Sequence, residues 1–61
     1  MRNPARIGDF VAAIGNGWEN RCPDWRFSQL MINFLGWLGR DPFYMEDDEF
    51  LVKFEEFLDT I

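Results

Sequence analysis

The chain has 61 residues, one cysteine, no histidine and a net charge of −5, which suits one domain at most. The single cysteine excludes a disulfide within the chain, and the missing histidine removes the usual zinc ligand sets and the commonest general acid–base group. A domain this small buries only about 60% of the surface its unfolded chain exposes, so its seven Phe, three Trp and one Tyr must supply most of the core.

The first amphipathic stretch runs from about Pro4 to Asn20. Asn3 is placed to cap it and Pro4 to occupy its first position. Ile7, Phe10, Val11, Ile14 and Trp18 recur at helical spacing. Gly15 and Gly17 each cost up to about 1 kcal/mol against Ala in a helix, so the helix is expected to fray or end near them. Arg21-Cys22-Pro23-Asp24 is the first break, because Pro23 disfavours helical geometry at Cys22. Asp24 is the expected N-cap of the next helix.

The second stretch runs from Trp25 to about Leu38, with Phe27, Leu30, Met31, Phe34, Leu35 and Leu38 as its stripe. Trp25, Ile32 and Trp37 point elsewhere. A helix apolar on more than one side is expected to be the central, most buried one. Gly39 sits where a terminating glycine belongs. In the second break, Asp41-Pro42 favours a turn, and Phe43 and Tyr44 are expected to fold back over the core. The third stretch, Asp47 to Leu58, carries Phe50, Leu51, Phe54, Phe57, Leu58 and Ile61 on one side and a run of acids on the other. The expected fold is all-α: a compact three-helix bundle of short helices in a single domain, residues 1–61.

Charge is unevenly spread. Residues 1–40 carry five Arg against Asp9, Glu19 and Asp24, a net of +2, whereas residues 41–61 carry eight acids against Lys53, a net of −7. Such a segment would repel nucleic acid and anionic membranes and attract basic protein surfaces. Glu46-Asp47-Asp48-Glu49 complements a helix N-terminus and lacks the glycine and spacing of an EF-hand. Glu55, Glu56 and Asp59 oppose the dipole at the other end, with only Lys53 and Glu49 offering an i, i+4 pair. Solvation alone and a functional anionic surface are both open readings of this face. Trp25, Ile32 and Trp37 likewise read as a wide core or as a contact patch.

No catalytic constellation, phosphate loop or cofactor motif is present. Cys22 reads as a half-buried loop cysteine, and lone cysteine usage fits a reducing cytoplasm. Met1-Arg2-Asn3-Pro4 shows no signal-peptide pattern. The mostly apolar run from Leu30 to Leu38 falls short of the ~20 residues a membrane helix needs.

Pro23-Asp24-Trp25-Arg26-Phe27, Gln29-Leu30, Asn33 and Asp41-Pro42-Phe43-Tyr44-Met45-Glu46-Asp47 resemble a family of short bacterial and phage proteins of no assigned activity, over about residues 23 to 58. By size, acidity and lack of catalytic residues the chain also resembles in type the anti-CRISPR proteins, several of which are acidic DNA mimics. That likeness transfers no residues. It implies the host cell cytoplasm if the chain is phage-encoded.

The expected function is a non-catalytic inhibitor that binds a protein with a basic nucleic-acid-binding surface, plausibly a CRISPR effector, with no cofactor, no metal and no direct contact to nucleic acid or membrane. Asp47, Asp48, Glu49, Glu55, Glu56 and Asp59, with Trp37, are its candidate contact residues. The alternative is a small assembly adaptor held by exposed aromatic residues, with Trp25, Ile32 and Trp37 as its interface and a homodimer left open.

Overall fold

The computed structural model describes residues 2–61. Three helices follow in order: α1, Arg6–Arg21; α2, Phe27–Leu38; α3, Asp47–Leu58. The fold is an all-α three-helix bundle.

α1 starts two residues later than the spacing implies. The Asn3 side chain accepts the Ala5 N–H at 3.0 Å, and the Arg6 and Ile7 N–H groups donate to the Asn3 and Pro4 carbonyls. Asn3 therefore organises a lead-in turn, while Ala5 occupies the cap position. α1 also runs through Gly15 and Gly17 without fraying. A Cβ at Gly17 would lie 2.6 Å from Leu58 Cδ1 and 3.3 Å from Phe54 Cε2. The glycine is there because α3 approaches the α1 backbone at that point. α1 ends at Cys22, where φ −147° and ψ 59° satisfy the restriction set by Pro23.

Asp24 does not cap α2. The chain makes a turn in which Trp25 N–H donates to the Cys22 carbonyl at 3.0 Å. The helix begins only after Arg26, whose extended N–H is accepted by Gln29 Oε1 at 2.8 Å. That bond is the reciprocal half of a capping box. Gly39 ends α2 at φ 73°, with its N–H on the Leu35 carbonyl. Asp41 Oδ1 then accepts the Phe43 N–H at 3.0 Å, and a turn closes from Met45 N–H to the Pro42 carbonyl. This turn directs Phe43 and Tyr44 outward, contrary to expectation. They are 76% and 91% exposed and pack edge-to-face only on each other, ring centroids 4.8 Å apart.

The core consists of Ile14 and Cys22 with Leu30 and Phe34 of α2 and Phe54, Phe57 and Leu58 of α3. The Phe34 ring lies 5.0 Å from Phe50, 5.4 Å from Phe54 and 5.6 Å from Phe57, in tilted or edge-on geometries that aromatic quadrupoles favour. α3, not α2, is the central helix, since both other helices pack against it. α1 and α2 meet chiefly through Trp18, whose ring lies 5.8 Å from that of Phe27 and whose Nε1–H donates to the Trp25 carbonyl at 2.9 Å. α1 and α3 run parallel: Arg6 pairs with Asp47 at one end and Arg21 with Asp59 at the other.

Gly15 and Gly17 separate helix propensity from packing. A Cβ at Gly15 meets nothing within 4 Å. Gly15→Ala is expected to stabilise the fold by up to about 1 kcal/mol. Gly17→Ala, with the same gain in propensity, is expected to be destabilising on balance by about 1 kcal/mol, because overpacking typically costs 1–3 kcal/mol. Urea unfolding followed by circular dichroism measures both.

Candidate protein-interaction surfaces

The acidic outer side of α3 is the first candidate. Its carboxylates do not stand alone. Arg6 reaches from α1 to Asp47, and Arg21 reaches Asp59 at 2.5 Å. Arg40 pairs with Glu49 at 3.1 Å, and Lys53 pairs with Glu56 at 3.4 Å in place of the expected Glu49. Arg2 Nη2 donates to both Glu46 carboxylate oxygens, at 2.7 Å to Oε1 and 2.6 Å to Oε2. Of the six candidate carboxylates, Asp48 and Glu55 have no ion pair among the described residues. Asp48 only accepts the Glu49 N–H at 2.8 Å. Helical spacing offers Asp47 and Asp59 no local partner, and both find one on α1 instead. Four of the five Arg residues neutralise the acidic segment through space, three of them from the N-terminal part of the chain. The fifth, Arg26, makes no ion pair among the described residues. Exposed pairs of this kind contribute at most about 1 kcal/mol each to stability, but they reduce the outward field from single charges to dipoles.

Trp37 does not join the carboxylates. Its ring stacks on Phe34 with centroids 6.2 Å apart and lies tilted 5.8 Å from Phe57, over the core, and is 40% exposed. Nor do Trp25, Ile32 and Trp37 form one patch. Trp25 is half-buried against the core, and Ile32, 73% exposed, lies about 140° around the helix from Trp37.

The second candidate was not anticipated. Because α1 and α2 each pack on α3 more than on each other, an apolar groove of about 200 Å³ opens between them, lined by Phe10, Val11 and Ile14 of α1, Phe27 and Met31 of α2, and Phe50 of α3. Every lining side chain is apolar. Phe10 and Phe50 meet at 5.5 Å along one side. Trp18, beside Phe27, bounds the end where the helices approach. Val11 and Phe27 remain 60% and 54% exposed. All six belong to stripes that helical spacing assigns to the core. The available signal was the absence of any charged residue between Phe27 and Gly39, which does not show by itself where α1 would fail to cover α2. A wider hollow of about 420 Å³ lies beside Gly15, Trp18, Glu19 and Pro23, and one of its four lining residues is charged.

Among the described residues, no group of three or more His, Cys, Asp or Glu is placed to hold a metal ion. No helix among the described residues is long and apolar enough to cross a membrane. No family model, curated protein or solved structure matches the chain, so its own geometry carries the functional reading.

Cys22 is buried, and desolvation pushes its thiol above the ordinary range. Thiol reagents at neutral pH are expected to modify it slowly in the folded protein and rapidly in denaturant. The raised ionisation also predicts a loss of stability at alkaline pH. Below the unfolded thiol's pKa both states hold the proton. As pH rises past that value the unfolded state releases it first, and stability falls. Unfolding midpoints on either side of the ordinary thiol range, compared with those of Cys22→Ala, measure the effect.

Proposed function

We propose that this chain is a non-catalytic protein-binding adaptor that takes an apolar segment of its partner into the groove between α1 and α2. The observation that carries this reading is the groove itself, an uncharged concavity floored by Phe50 and Ile14 and walled by Phe10, Val11, Phe27 and Met31. Contiguous exposed apolar surface rimmed by polar residues marks interaction sites. Side chains such as Phe and Met are among those enriched at interfaces. The partner contributes aliphatic or aromatic side chains, and no cofactor is needed.

A second reading rests on Asp48 and Glu55, which lie on one stripe of α3 and lack an ion pair among the described residues, in a chain of net charge −5. On that reading the chain is an inhibitor that presents carboxylates to a basic nucleic-acid-binding surface, in the manner of the acidic anti-CRISPR type. Its charge is focused on two residues, not six.

Salt and two variants distinguish the readings. The immobilised chain is challenged with lysate at low and at high salt. Groove binding predicts capture that persists at high salt, is lost in Val11→Asp, and survives Asp48→Lys with Glu55→Lys. Capture that vanishes at high salt and in the lysine variant, but survives Val11→Asp, would overturn groove binding in favour of the anionic surface.

A further inference from the structure

We propose that the Phe43–Tyr44 turn of one copy of this chain seats in the α1–α2 groove of a second copy, and that the exchange is reciprocal. The inference rests on the groove reading above and names an occupant that the chain itself supplies. Phe43 and Tyr44 are 76% and 91% exposed, and their rings meet edge-to-face. The turn that carries them is fixed on both sides. Asp41 Oδ1 accepts the Phe43 N–H at 3.0 Å, and Met45 N–H donates to the Pro42 carbonyl at 2.9 Å. A turn held this way presents both rings without a large ordering cost on binding. Neither the core nor the groove by itself accounts for two aromatic rings held out in water.

The groove admits one ring. An apolar cavity of about 150 Å³ holds benzene, and the groove measures about 200 Å³ with wholly apolar walls. Phe43, with no polar atom in its side chain, is the ring that enters. Tyr44 covers the rim with its hydroxyl left in water, as amphipathic rings do at interfaces.

Opposite charges select the second copy. Arg26 is exposed, directly precedes the groove residue Phe27, and is the one Arg without an ion pair among the described residues. It stands at the N-cap of α2, where a cation opposes the helix dipole, so the isolated fold gains nothing from its charge. Asp41, in the turn with Phe43, is likewise exposed and has no ion pair among the described residues. Within one copy α2 separates the two, since its 12 residues span about 18 Å. Two copies laid antiparallel along α2 bring Arg26 of each beside Asp41 of the other as Phe43 enters the groove. The contact is then made twice, the isologous arrangement that closes a pair. A chain of 61 residues with one cysteine gains from it the apolar cover that so small a core lacks.

The test is sedimentation equilibrium of the full chain over a wide concentration range, with an expected limiting mass of twice 7.3 kDa. Phe43→Ser with Tyr44→Ser removes the inserted rings, and Val11→Asp blocks the groove. Each is expected to weaken association at least about 100-fold and to keep its helical circular dichroism, since all three positions are exposed. Mixed in equal amounts, the two variants are expected to pair at least about tenfold more tightly than either alone, because one supplies the turn and the other the groove. Arg26→Gln and Asp41→Asn, the latter keeping the turn's acceptor oxygen, each weaken association about threefold, and together no more than either alone. A wild-type monomer at every concentration overturns the proposal. So does either groove or ring variant that associates like the wild type, a mixture that stays monomeric, or charge losses that simply add. The Phe43→Ser, Tyr44→Ser double variant keeps its groove and is expected to keep capture of another protein. A monomeric wild type that still captures one therefore overturns this contact alone and leaves the groove reading standing.

Discussion

Phe34 organises the molecule. It is fully buried and lies within 6.2 Å of Phe50, Phe54, Phe57 and Trp37, ring centre to ring centre. The contacts to Phe50, Phe54 and Phe57 hold α2 to α3. The same Phe54, together with Leu58, meets the α1 backbone at Gly17, so the third helix is seated on the far side of one shared aromatic layer. Truncating a buried Phe costs about 3–5 kcal/mol, a large part of what a domain of this size can hold. The core is therefore a short chain of aromatic contacts with α3 at its centre. What α3 does not cover stays open, and the groove between α1 and α2 is that uncovered part.

The ion pairs follow from the same placement. Because α1 lies parallel to α3, Arg6 and Arg21 fall beside Asp47 and Asp59 at the two ends of the pair. Arg40, just beyond α2, falls beside Glu49. A charge asymmetry of +2 against −7 along the chain becomes a mixed surface in space. Each pair contributes little to stability, since exposed pairs gain little over their hydrated ions.

What was legible in the sequence was mainly local. α3 spans Asp47 to Leu58 as its spacing implies, and Gly39 ends α2 in the left-handed conformation that its position suggests. Both features depend on residues within one or two turns. The start of α2 was missed because two competing cap positions lie two residues apart, Asp24 and Arg26 with its bond to Gln29, and the Pro23 turn claims Asp24. The role of Gly17 was illegible because its neighbours, Phe54 and Leu58, come from a helix some forty residues on. The partners of Asp47 and Asp59 lie 41 and 38 residues away, and no helical periodicity pairs such residues. Phe43 and Tyr44 look like core residues by composition; a turn set by Asp41 and Pro42 turns them outward.

Magnitudes decide which surface can carry binding. Two unpaired carboxylates act through a field screened over roughly 8 Å at physiological ionic strength, and each contributes on the order of a rim charge, affecting encounter rate more than residence. Apolar surface gains about 25 cal/mol for each Å² removed from water, so each ~40 Å² of the groove that is covered yields about 1 kcal/mol, insensitive to screening. Val11 and Phe27 are already more than half exposed, and the unbound chain forgoes that gain. The groove leaves unmet the apolar contacts that a chain this small has most reason to complete, while the acids keep much of the remaining surface hydrated.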